Sequence, residues 1–500
     1  MLRTLAASLL ASTALLPIAP AGAQPAPNAL PTGGAVVAGR AALSQSGATA
    51  TITQSSQRAA INWQSFNVGA QATVQFKQPS SSSVTLNRVV GSNPSQIAGR
   101  IDANGKLIIV NQDGVTFYRG AQVNAAGLVV SSSNISNQNF MAGKLVFDQP
   151  GKATARIDNA GTITIKQAGL AAFVAPQVAN SGVITAKLGT VVLAGAVTHT
   201  LDMYGDGLVA LDVSNEVRQA PGGHTALVTN TGTIIAEGGT VQLTARAADG
   251  LVQTLVQAGG TIAAPSAGGR TGMVVLNGIG GSITIAGQVA ADGLAAGARG
   301  GQVAANASGS VTLASTARVS ASGQAGGGTI AIGTTLARAA GGPGVVSAHT
   351  AKDVVVAPGA TIAADATGRG NGGRVTLLST GNTVFAGAIS ARGGPSGGDG
   401  GLVEVSGGTL GFYGTVDLGA PAGHLGTVLF DPDTLEITAA TPGSLDGLLP
   451  TIAAGTSSAP GVTLDTVSAT ALDGIGANAV LAASSVIDVK ASLLLAHNLT

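Results

Sequence analysis

Residues 157–163 read IDNAGTI, residues 178–184 read VANSGVI and residues 228–234 read VTNTGTI. Each copy is followed by a second short run that opens on glycine: GLAAF at 169–173, GTVVL at 189–193 and GTVQL at 239–243. Alternation of apolar and polar residues over about four to eight positions, bounded by Gly or Asn, is the pattern of a half-buried strand. Self-similarity at a period of roughly 20–50 residues marks solenoids, propellers or arrays. Short strands with no helical periodicity between them suit a β-solenoid, in which each coil stacks on the last at about 4.8 Å and pairs with it in register. The unit reads as two strands. Its Asn and Gly read as residues chosen for the left-handed conformations that tight bends need.

Working outward, the same theme loosens but persists from Gly260 to Gly426, as in GGSITIAG, GGGTIAIG and GGRVTLLS. Before the repeats, residues 24–34 (QPAPNALPTGG) read as an extended leader, and strand-like runs begin at Ala35. Beyond residue 442 the chain turns rich in Ala, Ser and Leu. Coils of about 20–28 residues would make a rod on the order of 80–110 Å, a shape suited to reach rather than to a compact active site.

Composition supports an all-β chain with a narrow core. Gly is 75 of 500 residues and charged residues are 9%, against about 25% charged in an average globular chain. A hydrophobic fraction of 45% with a net charge of +1 excludes a disordered polyelectrolyte. It also argues against nucleic acid as a partner, which needs a basic stripe to neutralise phosphates. There is no Cys, hence no disulfide framework and no thiolate metal site. Residues 1–23 read as a signal peptide, with Arg3 in a positive n-region, an apolar run to Ile18 and cleavage after Ala21-Gly22-Ala23, before Gln24.

The rarer residues concentrate between 61 and 136. Here lie INWQSFNVG (61–69), LNRVVG (86–91), VNQDGVTF (110–117) and QVNAAGLVVSSS (122–133), with the single Trp of the chain. In this order they resemble the amino-terminal domain of the filamentous haemagglutinin family, the exoproteins of two-partner secretion. The resemblance rests on Asn62, Trp63, Phe66, Asn87, Arg88, Val89, Asn111, Gly114, Val115, Val123, Asn124, Gly127, Leu128, Val129, Ser131 and Ser132. Gln112 and Asp113 depart from the family's Asn-Pro-Asn-Gly-Ile turn, and loss of the Pro leaves that turn less rigid. Residues 426–432 (GTVLFDP) resemble a second phrase common in these exoproteins.

The resemblance implies a right-handed parallel β-helix with a capped amino-terminal secretion domain. That domain is expected at 35–260, Gly-rich solenoid repeats at 261–441, and continuing repeats or an incomplete carboxy-terminal region at 442–500. The resemblance also implies export by the Sec machinery, then passage through a dedicated outer-membrane β-barrel transporter with periplasmic docking domains. The product is expected to be secreted or held at the cell surface and to contact a host-cell, matrix or bacterial surface ligand. Asn62, Trp63, Phe66, Asn87, Arg88, Asn111, Gly114, Val115, Asn124 and Gly127 are the candidate residues for transporter recognition or for the fold of that domain. Trp63, Phe66, Phe76 and Phe117 are expected in the core of the first coils. Arg88 could pair with a buried acid such as Asp102 or touch a partner.

No catalytic, cofactor or metal site is expected. His199, His224, His349, His424 and His497 show no ligand spacing. GDGL at 205–208 and GGDGG at 397–401 are single copies, whereas calcium-binding repeats need tandem turns. Asp431-Pro432-Asp433 reads as a turn. No nucleophile elbow or phosphate-binding loop occurs. Three functional classes remain: an adhesin or haemagglutinin-like rod, the carrier portion of a secreted toxin or haemolysin, and a β-helix polysaccharide-degrading enzyme. The last needs acids and bases clustered on one face. An autotransporter is disfavoured, since no run of long alternating membrane strands is visible.

Overall fold

The computed structural model describes residues 24–201, 211–219, 226–341, 350–432, 434–438, 465–468, 478–481 and 486–489. Over these the chain winds as a parallel β-helix with three faces. One coil comprises Arg156–Asn159, Thr162–Ile165 and Leu170–Ala175, and the next comprises Gln177–Asn180, Val183–Ala186 and Thr190–Gly195. Equivalent residues stack: Ile157 on Val178, Ile163 on Ile184, Phe173 on Leu193. Repetition gives a first face of 15 strands, a second of 14 and a third of 11. The fourteen spacings of the first face, at about 4.8 Å, span roughly 67 Å. That is shorter than the expected rod; residues 132–155, for one, run outside the three faces.

The repeat is therefore three strands, not two. IDNAGTI holds parts of two strands because the corner between third and second faces is only Ala160 and Gly161. Nor is that corner left-handed. Among the described residues the non-glycine positions with positive φ are Ala168 and Leu188, and neither Gly161, Gly182 nor Gly232 has a positive φ. A Cβ on Gly182 would instead lie 2.1 Å from the Gly161 carbonyl oxygen, and one on Gly232 2.2 Å from that of Gly182. Glycine is required there because stacked backbones touch. The Asn residues satisfy one another in a ladder, Asn159 Nδ2 donating to Asn180 Oδ1 and Asn180 Nδ2 to Asn230 Oδ1, both at 2.7 Å.

Inward-facing Val, Ile, Leu and Ala form one continuous core through the coils. Its amino-terminal end is closed by strands that run against the grain: Ala35–Ala38 pairs antiparallel with Arg58–Trp63, and Ala41–Ser46 with Thr49–Gln54. The leader is part of this closure, since Gly69 N donates to Ala29 O and Gln71 N to Pro27 O, both at 2.8 Å. Closing strands shield an edge that would otherwise template another chain.

The first face has a second core on its outer side. Ala60, Leu86, Ile108, Val129, Ala172 and Val192 point outward in one register row, yet all are buried. They cluster with Ile135, Phe140, Leu145, Phe147 and Leu201. This cover consists of a short helix, Asn137–Met141, capped by Ser136, and an antiparallel sheet of Leu145–Phe147, Thr198–Leu201 and Leu211–Asn215. Further along, the row continues through Gln242, Val275, Ala304 and Ala331. There, among the described residues, a single-turn helix, Leu336–Ala339, sits over Ala304 and Ala331, and Arg338 makes a two-pronged ion pair with Glu404 at 2.7 and 3.1 Å. Thr427–Pro432 is a strand paired with Leu402–Gly407, so Asp431-Pro432 does not form the expected turn; a Pro ending a strand forfeits little of the ladder. Asp433 lies outside the described residues.

Candidate functional site

The candidate residues fall into three groups, each held by backbone that the coils fix. In the first, strands Arg58–Trp63 and Val84–Val89 lie side by side, with Asn62 opposite Arg88 and Ile61 opposite Asn87. Trp63 Nε1 donates to Asn87 Oδ1 at 3.1 Å, and Trp63 meets Phe66 edge-on at 5.7 Å. Trp63, Phe66, Phe76 and Phe117 are all buried, as expected of core residues.

Arg88 is the hub of this group. Nε donates to Asn134 Oδ1 at 2.7 Å, Nη1 to Asn62 Oδ1 at 3.1 Å and Asn137 Oδ1 at 2.9 Å, and Nη2 to Ile135 O at 2.6 Å. All four acceptors are neutral. The pairing with a buried acid expected for Arg88 is not seen: its fork ties the start of the cover to the first face, and burial pulls its pKa below the usual arginine range. Asp102 belongs instead to Arg100 and Asn124, the latter donating Nδ2 to Oδ1 at 2.9 Å. Burial acts to raise the Asp102 pKa, but the bonds from Arg100 and Asn124 and the Arg100 charge outweigh it and the pKa falls.

The second group is the departed turn. Gly114 N donates to Asn111 O at 3.0 Å and Asp113 N to Asn111 Oδ1 at 2.9 Å, closing the bend through the Asn side chain. Asn111 Nδ2 reaches Asn93 O and Ser95 Oγ, both at 3.0 Å. Gly114 has φ +111°, and a Cβ there would lie 2.4 Å from Arg156 O, so glycine is needed twice over. The residues replacing Pro and Asn bind the excursion that follows: Gln112 Nε2 donates to Pro150 O at 2.8 Å and Asp113 pairs with Lys152. Val115 is buried between Ser95 and Ile157. In the third group, Asn124 lies on the second face and Gly127 opens the next first-face strand opposite Lys106.

All ten candidate residues are buried or half-buried, and Trp63 and Asn124 line two different pockets. Ala23 lies outside the described residues and Gln24 begins them, as His224, His349, His497 and residues 205–208 also lie outside. Of the remaining histidines, His424 is exposed beside Asp399 of the 397–401 bend. His199 is buried in the cover, stacked on Phe147 at 4.5 Å, with neither ring nitrogen hydrogen-bonded; desolvation lowers its pKa to about 3. Sequence reading missed the cover itself. Its signal was there in KLIIV, GLVVS and LAAFVA, where alternation gives way to continuous apolar runs, the mark of strands buried on both sides.

Comparison with known proteins agrees with this geometry. The solved HMW1 secretion domain from Haemophilus influenzae superposes with a TM-score of 0.66 at 29% identity, covering 79% of this chain and all of that one. Two heme/hemopexin-binding proteins from Haemophilus influenzae are 43% identical over 106 residues and 44% identical over 85. The chain spans only 12% and 9% of the length of those relatives. The family model of the TPS secretion domain matches residues 28–291, more than half of the chain, and the protein belongs to that family of two-partner secretion exoproteins.

Proposed function

We propose that the chain is an adhesin or haemagglutinin-like exoprotein. In this reading the Sec machinery delivers it to the periplasm, the docking domains of an outer-membrane β-barrel transporter take up its secretion domain, and the coils fold as they emerge. The match of the secretion-domain family over residues 28–291 carries the reading. Physical support comes from the coils: each buries its inward residues against the previous one and pairs its backbone with it, so stacking at the surface draws the chain outward. The ten motif residues serve by building the domain, since each is engaged in core packing or internal bonds. The alternatives keep the secretion route but make the chain a toxin carrier, or else give it polysaccharide-degrading activity. Among the described residues no group of three or more His, Cys, Asp or Glu side chains gathers as a metal site. The ligand named for the heme/hemopexin-binding relatives is not carried over, because the match covers 12% of the longer alignment's protein.

The reading is tested by co-expressing the full chain with an outer-membrane transporter of the two-partner type from the same genome and assaying protein in the medium and on the cell surface. Appearance outside the cell should require the transporter and should be lost on deletion of residues 61–136. Export that survives that deletion overturns the secretion reading. Export without binding to any cell or matrix surface overturns the adhesin reading alone.

A further inference from the structure

The cover is assembled from pieces that are distant in the chain. Residues 132–149 leave the first face after Gly127–Ser131, and the later piece leaves after Thr190–Gly195. The central strand of its sheet, Thr198–Leu201, belongs to the later piece and pairs with Leu145–Phe147 on one side and Leu211–Asn215 on the other. Leu145–Phe147 thus has no strand partner until the later piece arrives. Coils depend only on their predecessor. Those at Thr240–Arg246 and Met273–Ile279 stack in full register, and among the described residues no sheet covers them. Three strands of three to five residues are marginal by themselves, and closing a longer loop to pair them costs more chain entropy than adding a coil.

The cover also holds buried polar atoms that nothing satisfies. Both His199 ring nitrogens and Ser132 Oγ are buried without a hydrogen-bond partner. Arg88 ties the cover's first turn to the coils by gripping Asn134, Ile135 and Asn137, while Ser132 N and Ala196 N bond to Val174 O and Ala175 O where the two pieces leave, and Arg58 lies over the Phe140 ring at 5.8 Å. We propose that residues 132–149, 196–201 and 211–215 form a lid that opens and closes as its own unit, latched by Arg88, over coils that stay folded. Opening it uncovers the apolar row of Leu86, Ile108, Val129, Ala172 and Val192. If the chain emerges amino-terminus first, that row stays uncovered until residue 201 is outside. This last consequence rests on the secretion reading, whereas the lid itself does not.

Hydrogen exchange on the purified full chain separates the two. The amides of Leu145–Phe147 and Thr198–Leu201 should exchange at least about tenfold faster than those of Lys106–Val110 and Gly127–Ser131, as expected of a local opening below the global one. Arg88→Met should speed the lid amides by about a further tenfold, the loss of a charge-assisted hydrogen bond, and leave Gly127–Ser131 within about twofold. Should Arg88→Met not yield folded protein, Asn137→Ala, which removes one acceptor, should give the same selectivity with a smaller factor. Equal exchange of lid and coil amides in the unmodified chain, or equal acceleration of both in either variant, overturns the lid. Neither result bears on whether export needs the transporter.

Discussion

Gly127–Ser131 and Met273–Ile279 lie on the same face of the same helix, and Val129 and Val275 occupy the same register row. Val129 is completely buried in the outer core, and Val275 is half-exposed. Inward residues of the two strands are alike, Leu128 and Val130 in one and Val274 and Leu276 in the other. Only the burial of the outward row differs, since the residue there is Val in both. A solenoid can therefore turn one face from a dry interface into a wet surface without altering its pitch or pairing, according to what lies over that face.

Charge placed at that row gives the sharpest way to break the comparison. Val129→Asp should lower stability by about 3–5 kcal/mol, the scale of an unpaired buried charge, while Val275→Asp should stay within about 1 kcal/mol. Urea unfolding of both variants reads the difference, and equal losses would mean that the cover does not exclude water. The next test asks whether both regions share the same stacking rule. Gly182→Ala, whose new Cβ meets the Gly161 carbonyl, should cost about 1–3 kcal/mol. Gly259→Ala, whose nearest neighbour would be Asn230 O at 3.8 Å, should cost about 0.5 kcal/mol or less.

The third test uses pH and concerns the covered half alone. His199 has a folded pKa of about 3 against 6.5 when unfolded, so the unfolded form binds a proton that the folded form refuses. Stability is complete above pH 6.5 and falls as pH drops toward 3, by about 2 kcal/mol at pH 5. The protection factors of Thr198–Leu201, which correct for the base-catalysed slowing of intrinsic exchange, should fall over this window and become flat in His199→Phe, while strands from Met273 onward keep their own profile. An unchanged pH profile in His199→Phe would assign the acid response to other groups.

Strand content, coil stacking and the buried aromatics were legible because period and residue size decide them locally. The number of faces was not. A corner of two residues leaves no gap in the pattern, so Asn159 and Thr162 read as one strand although they lie on different faces. The corner glycines were read as conformational, while their reason is the approach of another coil's carbonyl, which sequence does not display. Arg88 was sought an acid because charge suggests charge; its four neutral acceptors come from Asn62 and from residues 134–137, and only the fold brings these together. Asn111 and Gly114 are recognisable by motif, yet the bonds of Asn111 to Asn93 and Ser95 and the close approach of Gly114 to Arg156 O cross coils.

The points of departure from the coils obey one rule. Residues 132, 196 and 333 each follow the end of a first-face strand, Gly127–Ser131, Thr190–Gly195 and Thr329–Ile332, whereas the opposite corner stays as short as Ala160-Gly161. Foreign sequence, whether acquired by evolution or grafted by design, has a seam here at which it can enter without disturbing the axis, besides the second-to-first-face corners, where residues 264–272 and 391–401 already form longer loops. Loops spliced there would be displayed in a single line down one flank of the molecule.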